Sequence, residues 1–355
     1  MFFDSLNLGL QNGSRAIGVI HVASTNALQN TQSIYRKCNA TYTNEELIHL
    51  NSIRKKILKL HRDLISEYSL DEKFLSPAAV CLLKPEMISI IQVELMKINF
   101  IHNIVDRALA EVDLYIKQGI KIVEIENIGT PYLLDQMILP EDYLILHLVA
   151  CKIRKLHKSL VIGINILANG EMHSLPIAIS VEAYFIHSDS SMFVGVRPEG
   201  ETINNGKLAR LLYMRNFYQT ICGNVDPKSR LYPKIWCDLK KKYTFFNQSL
   251  ESVSAWISFI RFMKIEGLVL SSSEADGTLN EKYLLDVRME LNKVHSKIIK
   301  TTGDDQEIPL IIGSGFSKNY KEYADFVILG GVLKKNGYWE NDVDEKRLSD
   351  ILSTF

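Results

Sequence analysis

Short runs of Val, Ile and Leu, bounded by Gly, Ser, Asn or Pro, recur along the chain, and the segments between them are long enough for helices. Eight runs read as strands: 16–21 (AIGVIH), 122–126 (IVEIE), 160–167 (LVIGINIL), 184–187 (YFIH), 234–239 (KIWCDL), 267–271 (GLVLS), 309–313 (PLIIG) and 326–330 (FVILG). Most are continuously apolar rather than alternating, the pattern of parallel strands covered on both faces. Helices are predicted over 105–118, where Val105, Leu109, Val112 and Ile116 fall at helical spacing before Gly119, and over 142–157, 207–222 and 281–293. Strands alternating with helices in this number predict a (β/α)8 TIM barrel, because repeated right-handed crossovers around a circle close the sheet. The other candidate, an open doubly wound sheet, would carry a GxGxxG turn after its first strand, and the segment following AIGVIH has none.

One gap breaks the rhythm. From His21 to Ile122 the chain runs roughly three times the length of an ordinary βα unit. Within it, 44–68 reads as a long amphipathic helix, and CLLKPEMISI at 81–90 as a shorter element broken at Pro85. Residues 28–95 are therefore read as a helical insertion in the first βα connection of a single barrel domain spanning 1–355. Such an insertion is either a lid or docking surface on the catalytic face, or a helix padded onto the barrel flank.

Composition narrows the partners. The 355 residues are 46% hydrophobic and 23% charged, enough to bury a sizeable core. Forty-one basic side chains balance forty-one acidic ones, so no global field attracts nucleic acid. No apolar run reaches the length of a membrane span. The first fourteen residues lack the pattern of a cleaved targeting segment. Five scattered cysteines (Cys38, Cys81, Cys151, Cys222, Cys237) suit neither a disulfide framework nor a CxxC zinc module. A reducing compartment follows, with the cytoplasm expected and the mitochondrion left open.

Six collinear blocks then carry a resemblance: RAIGVIHV at 15–22, GIKIVEIENIGTPYL at 119–133, VIGINIL at 161–167, GKLARLLYMR at 206–215, KIWCDLKKKY at 234–243, and PLIIGSG through FVILGGVLKKNG at 309–337. Together they resemble the BtpA/SgcQ family. The resemblance implies a TIM barrel of undefined biochemistry, whose relatives are associated with photosystem I biogenesis in cyanobacteria, bacterial sugar-metabolism gene clusters and uncharacterised animal proteins. It also marks departures. The histidines that flank a lysine after strand five in relatives are here Lys240, Lys242 and Tyr243, and an Arg and Asn after strand four are His187 and Asp189. A glycine-rich turn after strand six is replaced by Ser271 to Gly277, and Glu124 stands where relatives carry an apolar residue. The departures imply either a different substrate or a catalytic function that has decayed.

Chemistry in such barrels gathers at the C-terminal strand ends. Those ends hold His21, Glu126 with Asn127, Asn165, His187 with Asp189, Asp238 followed by Lys240 and Lys242, and Ser271 to Ser273. Imidazole, carboxylate and ammonium groups on one rim are the ingredients of proton transfer. Glu126, His21 and Asp238 are the expected acid and base groups, with Asn127, Asn165, Lys242 and Ser271 as ligand contacts. Glu124 and Glu126 share one strand face. Inside the barrel, repulsion and desolvation would raise at least one of their pKa values; outside, Glu124 would meet a basic helix residue, so its role stays open. Gly313, Ser314 and Gly315 follow strand seven, and Gly330 and Gly331 follow strand eight. They read either as tight turns or as a phosphate cradle in which backbone approaches an anion and Lys334 or Lys335 adds charge. No HxH, HExxH or Cys/His cluster occurs, so neither metal nor cofactor is expected.

Two function classes follow from the residues. One is an enzyme using acid/base chemistry on a small phosphorylated or otherwise anionic metabolite, a sugar phosphate or nucleoside derivative. The other is a non-catalytic assembly factor whose insertion is the partner surface. A homo-oligomer is compatible with both.

Overall fold

In a closed sheet the two-residue period of a strand sends one set of side chains into the barrel and the other against the surrounding helices. A computed structural model describes residues 15–23, 85–128, 140–167, 170–188, 195–196, 202–203, 207–221, 232–239, 245–246, 265–272, 279–302, 307–315 and 317–354, with 257, 260 and 263. Its barrel strands are β1 (Ala16–Ala23), β2 (Ile122–Ile128), β3 (Val161–Asn165), β4 (Phe185–Ser188), β5 (Lys234–Asp238), β6 (Gly267–Leu270), β7 (Leu310–Ile312) and β8 (Phe326–Leu329). Each lies parallel to its neighbour in sequence, and β8 returns to β1 with Ala16 opposite Val327 and Gly18 opposite Leu329. The fold is the predicted TIM barrel.

The interior set is one cluster of Ile17, Val19, Ile122, Phe185, Trp236, Val269, Ile311, Phe326 and Ile328. Three aromatic rings span it. Phe185 stacks on Trp236 with centroids 3.8 Å apart and planes 12° from parallel, and Trp236 lies 5.8 Å from Phe326. The rings pass so close to β3 and β6 that a Cβ at Gly163 would lie 2.0 Å from Phe185, and one at Gly267 would lie 2.3 Å from Trp236. Glycine at these two places lets the plug cross the barrel.

The helices are α1 (Pro85–Lys117), α2 (Pro140–Leu156), α3 (Glu171–Ser180), α4 (Lys207–Ile221), α5 (Glu281–Thr302) and α6 (Glu345–Leu352). Pro85 opens α1 rather than breaking an element, since the N–H it lacks has no helical partner in the first turn anyway. The α3 helix lay hidden in the sequence because Pro176 sits inside it. A small antiparallel sheet joins Gly195–Val196 to Thr202–Ile203 and Phe245–Phe246, segments of the connections that leave the C-terminal ends of β4 and β5. By its contacts the chain divides into two compact units, Thr25–Ile104 and the remainder, and the predicted insertion 28–95 falls in the first. The predicted helix 44–68 lies outside the described residues.

The N-terminal end of the barrel is tied by ion pairs. Buried Arg215 of α4 donates from Nη1 to both oxygens of Glu266, at 3.0 and 2.8 Å, and stacks 4.4 Å over the Tyr232 ring. The Glu266 Oε2 also accepts from the backbone of Ile235 at 2.9 Å. On the next strands Asp325 Oδ2 accepts from Arg288 and from the backbone of Leu310, each at 2.7 Å. No helix among the described residues is long and apolar enough to cross a membrane.

Candidate active site at the C-terminal rim

Strand alternation, anchored by the aromatic plug, decides which rim residues face inward. Two residues beyond Val19, Phe185, Trp236 and Val269 stand His21, His187, Asp238 and Ser271; two and four beyond Ile122 stand Glu124 and Glu126. All of these occupy the interior face at the C-terminal end, with Asn165 two beyond Gly163 on β3. The face of Glu124, open in the sequence, is thus the interior one.

Side-chain contacts link these groups into an arc. His187 Nδ1 lies 3.0 Å from Glu124 Oε1, and its Nε2 lies 3.5 Å from Asp238 Oδ2. Asn165 donates from Nδ2 to the same Glu124 oxygen at 3.4 Å. On the far side, Ser271 donates to Asp238 Oδ1 at 3.3 Å, and the Ser272 and Ser314 hydroxyls meet at 3.2 Å. Gly313 abuts Ser271, and Gly330 abuts the His21 ring, so the arc reaches the glycine-bearing ends of β7 and β8.

The electrostatics follow from burial. His187, Glu124, Asn165 and Asp238 are all buried. Burial alone would pull the His187 pKa down, but the Glu124 charge and hydrogen bonds to both carboxylates outweigh it and raise the value to about 10. The imidazole is therefore a cation between two carboxylates at neutral pH. Burial, helped by the Asp238 charge, also raises the pKa of Tyr283 near the start of α5. Among the described residues, Glu124 Oε2 and Asn165 Oδ1 are buried acceptors of the cluster with no hydrogen-bond partner.

The other predicted residues divide. Glu126 pairs in register with His21 and with Asn165 and is half-buried. Asn127 turns to the helix side, where its amide accepts from the backbone of Leu167 at 2.6 Å and donates back at 2.8 Å. That is a clamp between the β2 and β3 ends, and it takes up the amide expected to touch ligand. The Gly313 N–H is bound to the Leu270 carbonyl at 2.7 Å, so it does not face an anion, whereas Gly315 holds a left-handed φ of 77° in the turn. Lys334 is fully buried against Glu111, with Nζ–Oε1 2.5 Å, and Lys335 lies 3.7 Å from Asp342. Burial lowers the Lys334 pKa and raises that of Glu111, so this pair binds α1 to the C-terminal segment instead of serving the rim. Lys242, with Asp189 and Lys240, lies outside the described residues.

Sequence reasoning placed His187 at a strand end without a role and left Glu124 undecided. Both belong to the cluster. The available signal was spacing: a polar side chain two residues after an interior aromatic or aliphatic one, repeated on β2, β4 and β5. Among the described residues no group of three or more His, Cys, Asp or Glu is placed to hold a metal ion.

The chain is similar to uncharacterised proteins of known sequence. An uncharacterised mitochondrial protein of Caenorhabditis elegans is 26% identical over 70% of this chain and 83% of its own length. An uncharacterised protein of Methanocaldococcus jannaschii is 25% identical over 71% and 85%. Similar solved structures include 3-keto-L-gulonate-6-phosphate decarboxylase from Vibrio cholerae, with TM-score 0.37 and 12% identity over 71% of this chain and 93% of that one. Another is the tryptophan synthase alpha chain from Legionella pneumophila, with TM-score 0.38 and 13% identity over 70% and 84%. The profile of the BtpA family matches residues 96–355, which hold every strand but the first, and the chain belongs to that family.

Proposed function

We propose that this protein is an enzyme that moves a proton on a small phosphorylated or otherwise anionic metabolite at the C-terminal rim of its barrel. One observation carries the reading: a buried imidazole, His187, held between Glu124 and Asp238 on the interior face. A barrel does not need charge there to fold, because the same interior positions one layer below are filled by Phe185 and Trp236. His187 supplies a fixed positive charge near the developing negative charge of an enolate-like intermediate, while its two ring nitrogens stay directed at Glu124 and Asp238. Glu126, His21 and Asp238 supply the carboxylate and imidazole groups that take and return the substrate proton. Asn165 and Ser271 contact the ligand, and the turns at Ser314, Gly315, Gly330 and Gly331 receive its anionic end. The reading goes with a cytoplasmic location, a mitochondrial one remaining open as in the worm relative's description.

The test is thermal unfolding with a panel of phosphorylated sugars and nucleotides. A ligand at about one hundred times its Kd adds about 2.7 kcal/mol to the folded state, a rise of several degrees in Tm for a domain this size. Selective stabilisation by a subset, weakened in Asp238→Asn and Glu126→Gln proteins, is expected. No shift with any of them would leave the assembly-factor reading in its place.

A further inference from the structure

The rim cluster contains more hydrogen-bonding capacity than it uses. Glu124 Oε1 accepts from His187 and from Asn165, while Glu124 Oε2, on the same carboxylate, has no partner among the described residues although Glu124 is only 1% exposed. Asn165, 2% exposed, points its amide nitrogen at the carboxylate, which fixes the orientation of the group and leaves Oδ1 without a partner on the other side. A buried carboxylate oxygen and a buried amide oxygen, both unpaired and both on neighbouring strands of the interior face, cost stability unless something donates to them.

The charge balance selects the donor. The Glu124 charge faces the His187 cation at 3.0 Å, which it shares with Asp238, and among the described residues no group of three or more His, Cys, Asp or Glu is placed to hold a metal ion there. An ammonium group or a metal ion placed against Oε2 would face that imidazolium at short range, whereas a neutral hydroxyl donates without adding charge. We infer that Glu124 and Asn165 form an acceptor subsite for the hydroxyl groups of a polyol, so that the metabolite bound at the rim is of the sugar type. This rests on the rim being the ligand site, and it narrows the anions open to that reading: a sugar phosphate or the ribose of a nucleoside derivative presents hydroxyls here, a simple alkyl phosphate or carboxylate does not.

The experiment uses the full chain and three sets of probes in thermal unfolding and calorimetric titration. The first set is ribose 5-phosphate and glucose 6-phosphate, the second butyl phosphate and inorganic phosphate, the third ribose and glucose at low millimolar concentration, below the range where polyols stabilise proteins in general. The sugar phosphates are expected to bind about tenfold or more tightly than butyl phosphate, since at least one hydrogen bond to a buried charged acceptor separates them. Asn165→Leu and Glu124→Gln are expected to abolish that ratio, the sugar phosphates then binding each variant no more tightly than butyl phosphate binds the same variant. Circular dichroism of both variants checks that they fold, and two substitutions of different kind guard against the loss of either one.

The outcomes separate the two ideas. Equal binding of butyl phosphate and sugar phosphates overturns the acceptor subsite and leaves the anion reading standing. Binding of ribose or glucose that the variants lose, with no response to any phosphate, supports the subsite and overturns the anion half of the proposed function. No response to any probe, together with Asn165→Leu and Glu124→Gln proteins more stable than the parent, assigns the two acceptors to buried water and overturns both.

Discussion

The two ends of the barrel bury charge in opposite ways. At the N-terminal end Glu266 uses both carboxylate oxygens, on Arg215 and on the Ile235 backbone, and a single Asp325 oxygen accepts two donors. At the C-terminal end Glu124 uses one oxygen and, among the described residues, leaves the other buried without a partner, beside an amide oxygen in the same condition. Ion pairs of the first kind tie α4, β5 and β6 together. The second kind keeps acceptors open inside a low-dielectric site, a cost of roughly 1–3 kcal/mol or more for each group that selection for stability alone would remove. The difference is the one expected of a barrel that uses its bottom face for stability and its top face for ligands.

The largest effect expected on this contrast is at the bottom. Replacing Arg215 by Ala strands Glu266 in a half-buried site and should cost about 3–5 kcal/mol. Urea unfolding would show it as a lower midpoint, and the double variant Arg215→Met, Glu266→Gln should recover part of the loss. Ligand affinity at the rim should not change. A rim response equal to that of the rim variants would show that the two ends are one mechanical unit and erase the comparison.

Next in size is the pH dependence of the top. The folded His187 pKa of about 10 lies above the roughly 6.5 of an unfolded histidine, so the folded state binds the extra proton. Its contribution is fully present below about pH 6.5 and is lost as pH rises through about 10. The protein should therefore lose stability across that window relative to the His187→Gln variant, in which the difference is absent. A His187 imidazole resonance that titrates near pH 6.5 by NMR would contradict the cationic clamp.

Gly163 tests the floor beneath the cluster. A methyl there would sit 2.0 Å from the Phe185 ring, so Gly163→Ala must push the ring aside, at about 1–3 kcal/mol. Because His187 follows Phe185 by two residues, the same change should weaken binding at the rim, and thermal shifts with and without a bound sugar phosphate would separate the two losses. Unchanged binding in a destabilised protein would make the plug a packing feature only.

Much of this was legible in the chain because it rests on local pattern. Most of the eight barrel strands are continuous apolar runs with turn residues at their ends, and their rim residues could be named by position. What was not legible depended on facing. Whether Glu124 looks inward is decided by the ring of strands, since the same IVEIE run reads equally well in either orientation. The burial of Lys334 was invisible for the same reason: its partner Glu111 is 223 residues away, on α1. The short strands at 195–196, 202–203 and 245–246 were missed because two residues carry no period. The α3 helix was missed because Pro176 argues against a helix that tertiary packing nonetheless forms.

The smallest expected effect separates the two lysines that follow β8. Lys334 is fixed to Glu111 inside the protein, so only Lys335, paired with exposed Asp342 at 3.7 Å, is placed on the surface of that loop. An exposed pair of this kind contributes little, and Lys335→Ala should leave stability within about 0.5 kcal/mol. If the loop receives an anion, the same change should weaken a phosphorylated probe about two- to fivefold and reduce the salt dependence of its binding, because one screened charge has been removed from its path. Titration calorimetry at two ionic strengths reads both quantities. Affinity and salt dependence identical to the parent would mean that the anionic end meets backbone alone at this turn.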